Sequence, residues 1–207
     1  MSRLKIYGTT SSSNVQKVLW CCGEIGLPFE RDEAIGGSSR RNRSAAYMAL
    51  NPNGLIPTID DDGFILWESN AIVRYLAAKH AMGTLCPADP HRRADCDRWM
   101  DWQQTALVPH MGPLFRALLR EPREEMTAAQ VDAAVQGAAG NWRILDARLA
   151  DRPFVGGSSL TMADIVLGNA IHRWFKLPVE RPALPHLSAW YDRLRERPAY
   201  REHIASH

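Results

Sequence analysis

Residues 51–72 read Asn51-Pro52-Asn53-Gly54-Leu55-Ile56-Pro57-Thr58-Ile59-Asp60-Asp61-Asp62-Gly63-Phe64-Ile65-Leu66-Trp67-Glu68-Ser69-Asn70-Ala71-Ile72. The run opens on a dense turn cluster, Asn51 to Gly54, in which Asn and Gly tolerate left-handed backbone and Pro fixes its own φ. Two strand-like stretches follow, Leu55–Ile59 and Phe64–Trp67, joined as a hairpin through Asp60-Asp61-Asp62-Gly63. Ile56-Pro57 enters the first of them. A proline amide lowers the trans preference to about 1 kcal/mol or less, so this junction is read as a cis bond. Glu68 and Ser69 then open a helix whose apolar members Ile72, Val73, Leu76 and Ala77 lead to Lys79-His80.

Toward the amino terminus, Leu4–Tyr7 reads as a short strand that stops at Gly8, and a polar loop runs from Thr9 to Ser13. A helix follows from Asn14 to Gly26, with Val15, Val18, Leu19, Cys22 and Ile25 at spacings of three and four and Gly26 as its stop. Pro28–Glu33 suggests a second strand and Ser44–Leu50 a short helix, giving the order β-α-β-α-β-β-α. Gly83, Pro87, Asp89 and Pro90 mark a connector. Beyond it the pattern is helical: about His91–Leu119, with Pro109 kinking rather than ending it, then Thr127–Leu149, Met162–Phe175 and Ser188–Arg197. Thr161-Met162-Ala163-Asp164 fits a capping box, with Leu160 and Ile165 as its hydrophobic staple. The expected architecture is an α/β N-terminal domain over residues 1–82, a linker over 83–90, and an all-α helical bundle over 91–207.

Composition narrows the function. The 207 residues are 45% hydrophobic and 23% charged, ordinary for a globular chain, and the net charge is only +2. Acids and bases are intermixed, so no extended cationic field exists to neutralise a nucleic acid's phosphates. No apolar run approaches the roughly 20 residues of a membrane span, and Met1-Ser2-Arg3 leads into a strand without a signal-peptide core. A cytoplasmic protein without membrane or nucleic-acid partners is expected. The 4 cysteines, at positions 21, 22, 86 and 96, match neither a zinc pattern nor a secreted disulfide framework, and no metal is expected. The basic run Arg40, Arg41, Arg43 reads as a solvated loop.

Taken together and in order, Tyr7–Val18, Asn51–Pro57, Glu68–Ile72 and Thr161–Asp164 make the chain resemble the cytosolic glutathione S-transferase family, specifically its bacterial, theta- and phi-like serine type. The resemblance covers essentially the whole chain. It implies a thioredoxin-like N-terminal domain and a glutathione transferase that joins the thiolate of glutathione to small hydrophobic electrophiles, with detoxification as its setting. Glutathione enters as a co-substrate, with no permanently bound cofactor, and the chain is expected to be a homodimer. Its dimer contact would run from the Glu68–His80 helix to the partner's 93–102 region. The alternatives are a glutathione-dependent dehalogenase or peroxidase, or a non-catalytic docking module on the same fold.

Site residues follow by position. In the family, the backbone of Ile56 before Pro57 pairs like a strand with the cysteinyl unit of glutathione, a form of β-augmentation. Ser69 meets the α-carboxylate of the γ-glutamyl group, and Glu68 its ammonium. The first of these contacts suits a helix start, where free amides and the dipole favour an anion. Ser12 falls six residues before Val18, where the serine-type members carry their catalytic serine. Ser11, Ser13 and Asn14 are close enough to assist or substitute, and Tyr7 is a weaker alternative. Leu55 stands where relatives often carry a polar residue for the glycyl carboxylate, so Arg40, Arg41, Arg43 or Asn53 is expected to replace it. The electrophile would lie between the domains, against Val108, His110, Met111, Phe115 and Trp174, although the same residues also fit a core stripe. Cys21 and Cys22 lie inside a helix, and the 9–14 loop holds no cysteine, which argues against a mixed-disulfide chemistry.

Overall fold

The structure, a computed structural model, describes residues 4–39, 41–120 and 125–206. The chain divides into two compact units, one running to Cys86 and rejoined by the segment from Arg197 on, the other from Pro87 to Glu196.

In the first unit the elements are β1 (Leu4–Tyr7), α1 (Ser13–Ile25), β2 (Phe29–Asp32), α2 (Ala45–Leu50), β3 (Thr58–Asp61), β4 (Phe64–Trp67) and α3 (Ser69–His80). The sheet order is β2-β1-β3-β4, with β1 parallel to β2 and antiparallel to β3, and β3 antiparallel to β4. This is a thioredoxin-like unit. Leu4 and Ile6 alternate inward from β1 and Ile59 joins them from β3; Val15, Val18 and Leu19 of α1 and Ile72, Val73 and Leu76 of α3 are buried with them. Burial of each such side chain is worth roughly 1.5–3 kcal/mol, which makes this layer the main source of the unit's stability. Gly26 ends α1 in the left-handed region, its amide bonded to Cys22 O and Gly23 O.

Two boundaries differ from the sequence reading. β3 begins at Thr58 rather than Leu55, because Leu55 O is held by side chains, accepting from Tyr47 Oη at 2.6 Å and Asn51 Nδ2 at 2.8 Å, and is unavailable to a ladder. The hairpin loop is only Asp62-Gly63, both with positive φ, so Asp61 becomes part of β3 and accepts from Tyr75 Oη at 2.7 Å and Lys79 Nζ at 2.6 Å.

The larger correction concerns the chain end. Residues from Arg197 were expected in the helical bundle, yet they pack on α1. Arg197 donates to Glu24 through Nε at 2.8 Å and Nη2 at 2.5 Å, Trp20 Nε1 donates to the same carboxylate at 2.7 Å, and Tyr200 meets the Trp20 ring edge-on at 4.8 Å. A fully desolvated Trp20 requires that cover.

The second unit holds α4 (Pro90–Trp102), α5 (Val108–Leu118), α6 (Ala128–Arg148), α7 (Met162–Lys176) and α8 (Pro185–Arg195). α4 and α5 run on through a π-helical turn, Gln103–Leu107, in which Val108 N reaches back to Gln103 O. Pro109 has no N–H for the turn before it, which widens into the π-helical turn instead of ending the helix; Asn141 Nδ2 of α6 donates to Ala106 O of that turn at 2.8 Å. α8 starts at Pro185, ahead of the expected Ser188, since its Leu187 amide finds Asp146 Oδ1 at 2.7 Å.

The expected capping box at Thr161 forms, and Asp164 does more than close it. Its buried carboxylate accepts from Thr161 N and Thr161 Oγ1 at 2.9 Å each, Val155 N at 2.8 Å and Trp190 Nε1 at 3.0 Å. Burial raises the Asp164 pKa while these donors oppose it.

Cys21, Cys22, Cys86 and Cys96 are free and buried. Burial pushes the Cys22 thiol up to about 12 and Cys96 to about 11, and Cys21 rises well above its ordinary value by burial and its neighbours Cys22 and Glu24. A disulfide reagent at about pH 8 is accordingly expected to react slowly with the native chain and rapidly once urea unfolds it; a fast native reaction would contradict this packing. Asp164→Asn is expected to lower unfolding stability by about 2–4 kcal/mol, since buried donors lose their common acceptor. An unchanged urea midpoint would refute that role.

Candidate functional site

The site is built from three segments of the first unit: the start of α1, the turn before β3 and the start of α3. Side chains do not cap α1 or α3. In α1, Ser12 is the cap residue with extended backbone (φ −89°, ψ 120°), its carbonyl accepts from Gln16 N at 3.0 Å, and its hydroxyl caps no amide. The first turn carries no acidic side chain. Helix geometry leaves the amides of Ser13, Asn14 and Val15 without an intrahelical acceptor. Ser12, Ser13 and Asn14 are half-buried, while Ser11 is exposed and its hydroxyl lies 3.4 Å from Thr9 Oγ1. The loop is fixed from below by Gln16 Nε2, which donates to Thr10 O at 2.8 Å.

Ile56-Pro57 is cis, as expected. Among the described residues, neither the amide nor the carbonyl of Ile56 makes a backbone hydrogen bond, although the turn around it is held firmly. Tyr47 Oη and Asn51 Nδ2 reach Thr58 Oγ1 at 2.8 and 3.2 Å as well as Leu55 O. Asn53 N donates to Asn51 Oδ1 at 3.1 Å, and Asn42 Nδ2 to Gly54 O at 2.7 Å. Arg43 Nη1 donates to Asn53 O at 3.3 Å, so Asn53 and Arg43 stand together; Arg41 is exposed nearby in sequence and Arg40 lies outside the described residues. The Ile56 side chain packs where a Cβ on Gly8 would stand 3.3 Å from it, which joins this turn to the end of β1.

Glu68 has φ 73° and ψ 109°, a left-handed value that costs a non-glycine residue about 1–3 kcal/mol and is characteristic of functional sites. Its side chain is exposed. Ser69 is buried, and Lys17, only 2% exposed, sets Nζ 3.5 Å from Ser69 Oγ and 3.2 Å from Asn70 Oδ1. The sequence reading assigns Lys17 no role at the site. A lone lysine directly before Val18 in an apolar stripe was the available signal, and it reads equally well as a solvated charge. Tyr7, the weaker alternative, lies on β1 with its ring edge-on to Tyr47 at 6.1 Å.

Of the expected electrophile residues, Val108 is 37% exposed and Phe115 half-buried. His110 lies against α6, where a Cβ on Gly137 would fall 2.4 Å from its ring: only glycine admits that contact. Met111 and Trp174 belong to the helical core, Trp174 against Trp142 at 6.3 Å. Among the described residues no cluster of histidine, cysteine or acidic side chains could hold a metal ion, and no helix is long and apolar enough to cross a membrane.

Residues 11–79 match the glutathione S-transferase N-terminal domain and residues 128–193 the glutathione S-transferase C-terminal domain. The chain is 40% identical over 202 residues to glutathione S-transferase GstB of Escherichia coli, covering 96% of each, and 32% identical over 218 residues to glutathione S-transferase 3 of Zea mays, covering 100% of this chain and 95% of the other. A theta class glutathione S-transferase from Xanthomonas axonopodis pv. citri, solved with glutathione bound, superposes with a TM-score of 0.92 at 46% identity over 99% of this chain and 98% of that one. With both family domains matched in order and two uncapped helix starts flanking a cis-proline turn, the chain belongs to the glutathione S-transferase family.

Proposed function

We propose that this glutathione transferase binds glutathione along the three segments and ionises its sulfur at the start of α1. The carrying observation is the hydroxyl of Ser12, half-buried at a helix start whose amides it does not cap. The glutamyl end sits at α3: Ser69 takes the α-carboxylate, held from behind by Lys17, and exposed Glu68 takes the ammonium. Ile56 offers its unpaired amide and carbonyl to the cysteinyl unit beside Pro57. Asn53, with Arg43 and Arg41, lies on the glycyl side.

A cysteine thiol with its ordinary pKa is only about 3% ionised at pH 7. Lowering that value by about two units favours the anion by about 2.7 kcal/mol, within reach of a helix dipole and one or two hydrogen bonds. The Ser12 hydroxyl donates to the thiolate, with Ser11, Ser13 and Asn14 as neighbours. The thiol proton passes to solvent, the sulfur forms a bond to an electrophilic carbon, and the leaving group departs as its anion with the bonding pair. Val108, His110, Met111, Phe115 and Trp174 form the electrophile wall: Val108 and Phe115 offer surface, and Met111 and Trp174 stiffen it from the core. The enzyme acts in the cytoplasm as a homodimer; exposed Phe64, with the Tyr75 ring 5.2 Å away, suits such an interface.

Ser12→Ala is expected to lower kcat toward an activated haloarene about 100-fold while leaving glutathione affinity within about threefold. Ser69→Ala should do the reverse, raising KM for glutathione with a smaller effect on kcat. Unchanged turnover in Ser12→Ala would move the role to a neighbour, and binding of glutathione without turnover of any electrophile would favour a docking protein.

A further inference from the structure

We propose that Arg173, with Arg120 beside it, forms an anion-binding position on the Phe115 ring and makes the second-substrate wall select aromatic electrophiles that carry a carboxylate. The choice of electrophile rests on the transferase reading; the anion-binding position does not.

Four arginines of the helical unit have acceptors of their own. Arg148 pairs with Asp95 and donates to Val155 O, Arg181 donates to Trp174 O and Leu177 O, Arg193 to Pro153 O, and Arg152 pairs with Asp151. Arg173 is different. Its guanidinium lies 3.7 Å from the centroid of Phe115, and none of its five N–H donors has an acceptor among the described residues. It is half-buried, so solvent satisfies it only in part. The nearest influence is unfavourable: burial first, then the like charge of Arg120, lower its pKa to about 10. It therefore remains cationic at neutral pH. Among the described residues no carboxylate pairs with Arg173, so an added anion would relieve this like-charge repulsion.

The surroundings define what that anion carries. Val108, Gly112 and Phe115 recur at helical spacing on α5, and a Cβ at Gly112 would meet only Arg116 Nη1, at 3.2 Å. The Phe115 ring lies under the Arg173 guanidinium plane, and the Arg116 side chain covers Gly112 one turn earlier. A planar ring laid beside Phe115 would set a carboxylate at the fork of Arg173, whose two parallel donors match its oxygens. Inorganic anions lack the ring and would gain only the charge.

The test uses the whole chain and two unreactive probes of one shape, para-nitrobenzoate and para-nitrobenzamide, titrated by calorimetry. The wild-type chain is expected to bind the carboxylate on the order of tenfold tighter than the amide, with the difference shrinking at high salt. Arg173→Gln should abolish that preference and leave amide binding unchanged; Arg173→Lys should keep part of it. Exposed Arg120→Gln should reduce the preference about two- to threefold, and it decides the matter if Arg173→Gln does not fold. Equal binding of both probes by the wild type, or a preference that survives removal of Arg173, overturns the proposal. Turnover of a chloronitrobenzoate against its amide then extends it to catalysis: a selective chain that binds no glutathione would refute the transferase reading and leave the anion position standing.

Discussion

A buried ammonium ties together the two helix starts on which the site depends. Lys17 enters from α1, is almost fully desolvated, and places its charge against Ser69 and Asn70 at the beginning of α3. A charge at that depth is tolerated only where hydrogen-bond acceptors surround it, so α1 and α3 cannot slide past each other without stranding it. The sheet contributes the rest of the constraint. β1 leads directly into the Ser12 loop, and β3 begins directly after the cis-proline turn, so adjacent strands deliver two of the three segments of the candidate site.

Helix starts across the chain differ in how they are finished. Ser44 caps α2, Asp89 caps α4, and Thr127 and Thr161 close capping boxes on α6 and α7. These ends are finished internally and serve stability, Asp164 being the most fully engaged. α5 and α8 have no side-chain cap but carry a proline in the first turn; α1 and α3 have neither device, and the residue before α3 holds an unfavourable left-handed backbone. The polar groups withheld from folding are those a tripeptide with an ionised sulfur would use. The turn between them follows the same logic: Tyr47, Asn51 and Thr58 satisfy the atoms behind Ile56, while Ile56 itself stays open.

Much of this was legible locally. Turn chemistry at Asn51–Gly54, the Ile56-Pro57 junction, the stop at Gly26 and the Thr161–Asp164 box are each decided by residues within a few positions of one another. What escaped depends on distance or on context. The end of the chain packs on α1 through Arg197 and Glu24, a pair 173 positions apart, and nothing in Pro198-Ala199-Tyr200 announces its partner. Leu55 and Ile56 have strand propensity, and only the side chains of Tyr47 and Asn51 keep them out of the ladder. Lys17 and Arg173 are single charges within helices, a pattern that usually means a solvated face; their burial became visible only with the packing around them. Within the electrophile wall, Met111 and Trp174 follow the core stripe that their helical spacing equally allowed.

The central claim is electrostatic: the amides and the serine at the start of α1 hold the sulfur of bound glutathione as an anion. Titration of the thiolate absorbance of glutathione bound to the chain tests it most directly. An apparent pKa about two units below that of glutathione in solution is the expected result. A bound sulfur that titrates where the free tripeptide does would contradict it.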